Sequence, residues 1–188
     1  MAIKIFIDQG HNPQNPNAGA EGNGYREQDL VYAIGVELAS LLNENGNFEA
    51  RLSRNAPDEI LGTSVATSLR NRVENANRWG ADYFISLHAN ASDIPAASGS
   101  EAFVYSTSGE AYPFAVDLLQ GLSEATGLQD RGVTARPTLY VLRATSMPAT
   151  LVELGFITNA GDAALMANNP RLFATGLYNG ILRYFGLS

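Results

Sequence analysis

The run Asp82-Tyr-Phe-Ile-Ser-Leu-His88-Ala-Asn90 constrains this chain more than any other. Its centre, Tyr83 to Leu87, has the alternating, largely apolar character of a buried strand. A strand of that kind belongs inside a sheet covered by other elements. A histidine stands at its carboxyl end and an asparagine follows two residues later. The chain has only 2 histidines. The other, His11, also lies just past an apolar strand, Ile3–Asp8, in the turn Gly10-His11-Asn12-Pro13. Two rare, metal-capable side chains at the ends of two strands point to one site at the edge of a sheet.

The remaining segments alternate between the two periods. After Ile3–Asp8, a Gly-, Asn- and Pro-rich stretch from Gln9 to Tyr25 reads as a loop, and loops of that length in a compact domain usually serve function. Leu30, Ile34, Leu38 and Leu41 recur at helical spacing and predict a helix from about Glu27 to Asn45, closed by Gly46. Phe48–Ser53 is the second strand, and Arg54 to Ser68 a second loop. Leu69, Val73 and Ala76 predict a helix ending near Gly80, before the strand Tyr83–Leu87. A polar loop from Ala91 to Ser100 leads to Glu101–Tyr105, read as an edge strand. Ala111, Phe114, Leu118 and Leu122 mark a third helix closed by Gly127. Residues 128–138 read as a loop, with Leu139–Leu142 and Thr150–Leu154 as the last strands. Asn159 caps a short helix through about Ala167, and Pro170 opens a final one with Phe173, Leu177 and Ile181 inward. The expected fold is α/β: a single, mainly parallel, twisted sheet of six strands with helices on both faces.

Composition removes several functions. At 188 residues, without repeat, linker or low-complexity tract, one domain with a full core is expected. No apolar run is long enough to span a bilayer. Lys4 and Asp8 interrupt the first ten residues, which therefore read as a strand and not a secretory signal. The net charge of −7 disfavours nucleic acid and unaided binding to an anionic membrane or polymer. With 0 cysteines there is no disulfide framework, and a metal has only nitrogen and oxygen donors.

Sites in such sheets lie beyond the carboxyl ends of strands, where His11, His88 and Glu153 all fall. A catalytic zinc takes three protein ligands and leaves a fourth position to water. His11 and His88 supply two, and Glu27, where the long loop enters the first helix, is the best third; Glu21 in the same loop competes. Glu153, ending the apolar strand Thr150-Leu-Val-Glu, suits a general base whose burial raises its pKa. That set reads as metal-assisted amide hydrolysis. Each residue taken singly also has a structural reading. Either histidine suits a hydrogen-bonded loop or core position, and Glu27 suits a first-turn acid favoured by the helix dipole. Glu153 suits a buried carboxylate paired with an arginine such as Arg143, and Asn90 suits an Asx turn.

Five blocks in order carry a resemblance across nearly the whole chain. They are Ile5-Phe-Ile-Asp-Gln-Gly-His11; Gly24-Tyr-Arg-Glu27-Gln-Asp29; Ser68-Leu-Arg-Asn-Arg72-Val-Glu-Asn-Ala-Asn77; Ala81-Asp-Tyr-Phe-Ile-Ser-Leu-His88-Ala-Asn90; and Leu142-Arg143 with Met147-Pro-Ala-Thr-Leu-Val-Glu153-Leu-Gly-Phe156-Ile-Thr-Asn159. The chain resembles the zinc-dependent N-acetylmuramoyl-L-alanine amidases of the type 3 family. That resemblance implies zinc held by His11, Glu27 and His88, with Glu153 as base. It implies cleavage, in bacterial peptidoglycan, of the amide joining the lactyl group of muramic acid to the first L-alanine of the stem peptide. A monomer with a single catalytic domain over residues 1–188 and no wall-binding domain in it is expected from length and the absence of repeats. Asn90 and Arg143 are expected to touch substrate, Arg143 through a stem-peptide carboxylate. Delivery to the wall is expected through a pore, through lysis or as part of a longer protein. One departure stands out: glycines often follow the family's first histidine, where this chain has Asn12-Pro13 and a longer loop, which bears on the groove beside the ligand. No inhibitory helix is evident between His88 and Leu139, so an open groove is expected. A zinc carboxypeptidase and a non-catalytic wall-binding module are the competing readings.

Overall fold

A computed structural model describes residues 2–187. The elements run β1 (Ile3–Gln9), β2 (Glu21–Gly22), β3 (Tyr25–Arg26), α1 (Glu27–Glu44), β4 (Phe48–Leu52), α2 (Val65–Trp79) and β5 (Tyr83–Asn90). They continue with β6 (Ser100–Val104), α3 (Ala111–Thr126), β7 (Asp130–Ala135), α4 (Tyr140–Ala144), β8 (Ala149–Phe156), α5 (Ala160–Asn168) and α6 (Pro170–Tyr184). Six strands form one sheet in the order β4-β1-β5-β8-β6-β7. The β4/β1, β1/β5, β5/β8 and β6/β7 pairs are parallel, and β6 runs antiparallel to β8. The expected mainly parallel α/β sheet is thus present.

Alternation along the strands divides the core. Ile5 and Ile7 of β1, Ile85 and Leu87 of β5, and Val152 and Leu154 of β8 face α1, α3 and α6. Phe6, Phe84 and Leu151, one residue out of step, face α2 and α4 with Val73, Ala76, Val141 and Leu142. Along this second face the character changes towards the carboxyl ends of the strands. Phe6 pairs with Phe84, then Asp8 with Ser86, then His88 with Glu153. The face is therefore apolar where helices cover it and polar where they stop.

Three expectations about strands are corrected. Leu139–Leu142 is not a strand: the chain turns there into the short helix α4, whose Val141 and Leu142 are buried. A four-residue apolar run carries too little periodicity to separate the two states. The sixth strand is instead β7, within the stretch read as a loop; it bonds only to β6 and is mostly exposed, so no apolar pattern marks it. Nor is β6 an edge strand, since it lies between β8 and β7. Two boundaries also move. The Gln9–Tyr25 loop contains all but the last residue of a small hairpin, β2 with β3, turned by Asn23 and Gly24 at φ 51° and 81°. Helix α2 begins at Val65, four residues before Leu69, because Ser64 and Thr67 exchange side-chain and backbone hydrogen bonds as a capping box.

Candidate active site

The site is built where β1, β5 and β8 end and α1 begins. Strand β1 gives way to Gly10, whose N–H donates to Leu87 O at 3.0 Å. A Cβ on Gly10 would lie 2.5 Å from His88 Cε1 and 2.6 Å from Leu87 O, so only glycine lets the chain pass so close. The next residue, His11, holds φ at 66°, in the left-handed region, which turns its ring towards β5. His88 leaves the end of β5 on the α2/α4 face. The two imidazoles meet edge to face with centroids 4.8 Å apart.

Glu27 is the first residue of α1, where the helix dipole favours an anion. Its carboxylate is buried between the rings: Oε1 lies 3.1 Å from His11 Nε2 and 3.0 Å from His88 Nδ1. The Ala89 N–H also donates to Oε1 at 3.0 Å, and the Ala20 N–H to Oε2 at 2.9 Å. Burial alone would raise the Glu27 carboxyl, but the hydrogen bonds and charges of both histidines outweigh it and hold the group far below the usual carboxylate range. Burial would likewise lower the His88 imidazole, yet the Glu27 hydrogen bond and charge, with Glu153 and Asp8 beyond, raise it.

Glu153 lies directly opposite His88 in the β5/β8 register, and Glu101 directly opposite Glu153 on β6. Its Oε2 is buried without a hydrogen-bond partner. Burial lifts its pKa to about 7; His88 opposes this, while the charges of Glu27 and Glu101 add to it.

These residues have the chemistry of a cation site. Ligand atoms of His11, Glu27 and His88 all lie within 4.8 Å of one another, the one such His/Cys/Asp/Glu cluster among the described residues. Two imidazoles and a carboxylate, with no thiolate, form a donor set that suits zinc. Space is kept for that set by Gly19 as well as Gly10: a Cβ on Gly19 would stand 2.8 Å from Glu27 Oε2 and 2.9 Å from His11 Cδ2. His11 Nδ1 is buried and unpartnered, like Glu153 Oε2.

The other candidates fall as follows. Glu21, the competing ligand, is exposed on β2 and outside the cluster. Asn90 sits beside the site, with both ends of its amide engaged: Nδ2 donates to Glu101 Oε1, and Oδ1 accepts from the Ala91 N–H at 2.8 Å. Arg143 is exposed on α4 and lies over the Tyr140 ring at 5.6 Å, away from the unpartnered Oε2 of Glu153. Sequence reasoning passed over Asp162, whose carboxylate accepts from the Phe156 N–H at 2.9 Å, the Gly99 N–H at 3.1 Å and Ser98 Oγ at 2.7 Å. It thereby ties the loop after β5 to the end of β8. It passed over Glu101 too, which only the β6/β8 register brings beside Glu153. Asn12, at the point of departure from the family pattern, is a clasp: its amide bonds Pro16 O at 2.7 Å and both Leu61 O and Leu61 N–H at 3.0 Å.

A parallel-centred sheet with a His–Glu–His cluster and a buried, uncommitted carboxylate at its carboxyl edge defines the class as an α/β hydrolytic enzyme with a candidate metal centre. The sequence profile described as N-acetylmuramoyl-L-alanine amidase matches residues 5–183, and the chain belongs to that family. It is 35% identical over 190 residues to the N-acetylmuramoyl-L-alanine amidase CwlM of Bacillus licheniformis, covering 99% of this chain and 70% of that protein. It is 33% identical to the sporulation-specific N-acetylmuramoyl-L-alanine amidase of Bacillus subtilis, over 98% of this chain and 69% of the relative. The fold superposes on the catalytic domain of CwlV, an N-acetylmuramoyl-L-alanine amidase from Bacillus (Paenibacillus) polymyxa var. colistinus, with a TM-score of 0.85 and 30% identity over 99% of each chain.

Proposed function

We propose that this chain is a zinc-dependent amidase of the bacterial cell wall, cutting the bond between N-acetylmuramic acid and L-alanine in peptidoglycan. Residues 1–188 would act as its single catalytic domain, a reading supported by the family match over residues 5–183. The observation that carries the reading is the convergence of His11, Glu27 and His88 beside Glu153, whose Oε2 no other residue bonds among the described residues.

In this reading His11, Glu27 and His88 hold the ion, and a bound zinc supplies Lewis-acid activation of water and of the scissile carbonyl. Glu27 stays ionised across the working pH range and draws both imidazoles towards one point. Glu153, with a pKa near neutrality, takes the proton from the attacking water and delivers it to the departing nitrogen. The C–N bond breaks as the C–O bond forms, giving a lactyl carboxylate and a free L-alanine amino group. An open groove above the site is supported by the placement of α3, the one long helix between β6 and β7, which packs against α6 on the opposite face of the sheet. Asn90 is assigned to the groove wall, where it holds Glu101, and Arg143 to a carboxylate of the stem peptide.

Digestion of purified sacculi tests this. New free L-alanine amino groups are expected, in parallel with loss of turbidity. Release of C-terminal D-alanine alone would instead identify a carboxypeptidase, and binding of sacculi with no cleavage product would identify a wall-binding module.

A further inference from the structure

Arg72 is buried beneath the His11 turn, with 1% of its side chain exposed, and its two terminal nitrogens do different work. Nη1 forms the ion pair with Asp8 at 2.6 Å and donates to Gln9 O at 2.5 Å. Nη2 leaves Asp8 alone; it donates to His11 O at 2.5 Å and to Asn12 Oδ1 at 3.2 Å. Nε reaches Ser68 Oγ on its own helix at 3.4 Å. One nitrogen thus closes β1 against α2, and the other grips the backbone carbonyl of the first histidine and the side-chain amide of its neighbour.

That second grip answers a question posed by His11. A metal-binding histidine ordinarily donates its other ring nitrogen to a carboxylate or carbonyl, which fixes the ring. His11 Nδ1 has no partner, so nothing on that side orients the imidazole. The residue also sits at φ 66°, a conformation uncommon for a non-glycine residue and costly unless its surroundings support it. The supporting contacts are Arg72 Nη2 on His11 O and the Asn12 N–H on Asn17 O at 2.8 Å. Orientation that other sites obtain at the ring is obtained here at the backbone.

We infer that Arg72 is a positioning residue for the metal centre, holding His11 in ligating geometry through Nη2 independently of its ion pair with Asp8. The inference rests on the zinc reading given above. Only a guanidinium does both tasks, because its planar fork presents separate donors in fixed directions, whereas a lysine ammonium is a single point charge.

The test measures zinc affinity of the metal-free protein by chelator competition, with unfolding of the same samples followed by circular dichroism. The parent is expected to bind one zinc. Arg72→Lys keeps a cation against Asp8 but lacks the second arm. Asp8→Asn/Arg72→Gln replaces the buried charges with amides and also loses the reach to His11 O. Both are expected to fold and to bind zinc about 10- to 100-fold more weakly than the parent, the usual loss when a group supporting a ligand is removed. Folded variants binding within threefold of the parent would overturn the inference and leave Arg72 a purely structural ion-pair partner. Failure of both variants to fold would overturn it too, since the two tasks would then not be separable. A parent that binds no zinc is a different result, and it removes the metal reading itself.

Discussion

Glu153 and His88 stand opposite each other across β5 and β8, and Glu101 flanks Glu153 on the other side, so one row of the sheet carries an imidazole between Glu27 and a carboxyl pair. The row begins where helix cover ends, which leaves Glu153 buried enough to raise its pKa to about 7 yet free at Oε2. A carboxyl in that state is poised to exchange protons near neutral pH.

Glu153→Gln is expected to lower kcat by about 10²- to 10⁴-fold, the usual contribution of a general base, while zinc still binds. The same change should stabilise the metal-free fold at high pH. A carboxyl whose folded pKa is raised from 4.5 to about 7 costs nothing below pH 4.5, and the fold loses stability as pH rises through that interval. At pH 8 the amide therefore gains on the order of 3 kcal/mol over the parent, and at pH 4 nothing. Urea unfolding at both pH values, after chelation, reads the difference; equal gains at both would contradict it.

Removing the metal should remove activity. Chelator treatment is expected to abolish sacculus lysis, and one equivalent of zinc to restore it. Zinc at 100 times its Kd should add about 2.7 kcal/mol to unfolding of the parent. Alanine at His11, Glu27 or His88 should remove that increment. An increment that survives all three changes would place the ion elsewhere.

Gly19→Ala inserts a methyl group 2.8 Å from Glu27 Oε2 and 2.9 Å from His11 Cδ2. Because both contacts are ligand side chains, the cost falls on the site: zinc affinity should drop more than tenfold while the fold loses about 1–3 kcal/mol, as in other overpacked positions. Metal titration together with thermal unfolding separates the two effects.

Asp162→Ala leaves the Phe156 and Gly99 amides without their acceptor. Buried donors stranded in this way cost about 1–3 kcal/mol, or roughly 2–10 °C in Tm for a chain of this size. Amide exchange should quicken in the 91–99 loop before it quickens in β5.

Arg143→Ala removes an exposed side chain that stacks on Tyr140 and has no ion-pair partner among the described residues. Tm should be unchanged, and KM for a stem peptide with free carboxylates should rise severalfold with kcat retained. An unchanged KM would assign Arg143 to the helix surface alone.

Much of this architecture was legible in one dimension. The strands β1, β5 and β8 each carry an apolar run, β4 alternates Phe48, Ala50 and Leu52 with charged residues, and α1, α3 and α6 each show helical spacing with a fitting stop or start, so their existence follows from hydrophobic pattern alone. His11, His88 and Glu153 were visible because each is a polar residue ending an apolar strand. Glu27 was visible as the acid nearest a helix start. Strand β7 and helix α4 were misread for a shared reason: β7 is an exposed edge and α4 a single turn, and neither is long or apolar enough to impose a period.

By itself, then, the sequence determined the α/β class, the candidate residues and the chemistry they can support, because hydrophobic periodicity and donor type are local properties. Only the tertiary structure decided which of them meet. Register across β1, β5, β8 and β6 put Asp8 beside Ser86 and Glu153 between His88 and Glu101. The approach of Gly10 and Gly19 let three ligand atoms converge, and the forked reach of Arg72 linked a helix to a turn 61 positions away. Convergence of that kind depends on distances between residues far apart in the chain, which no local pattern encodes.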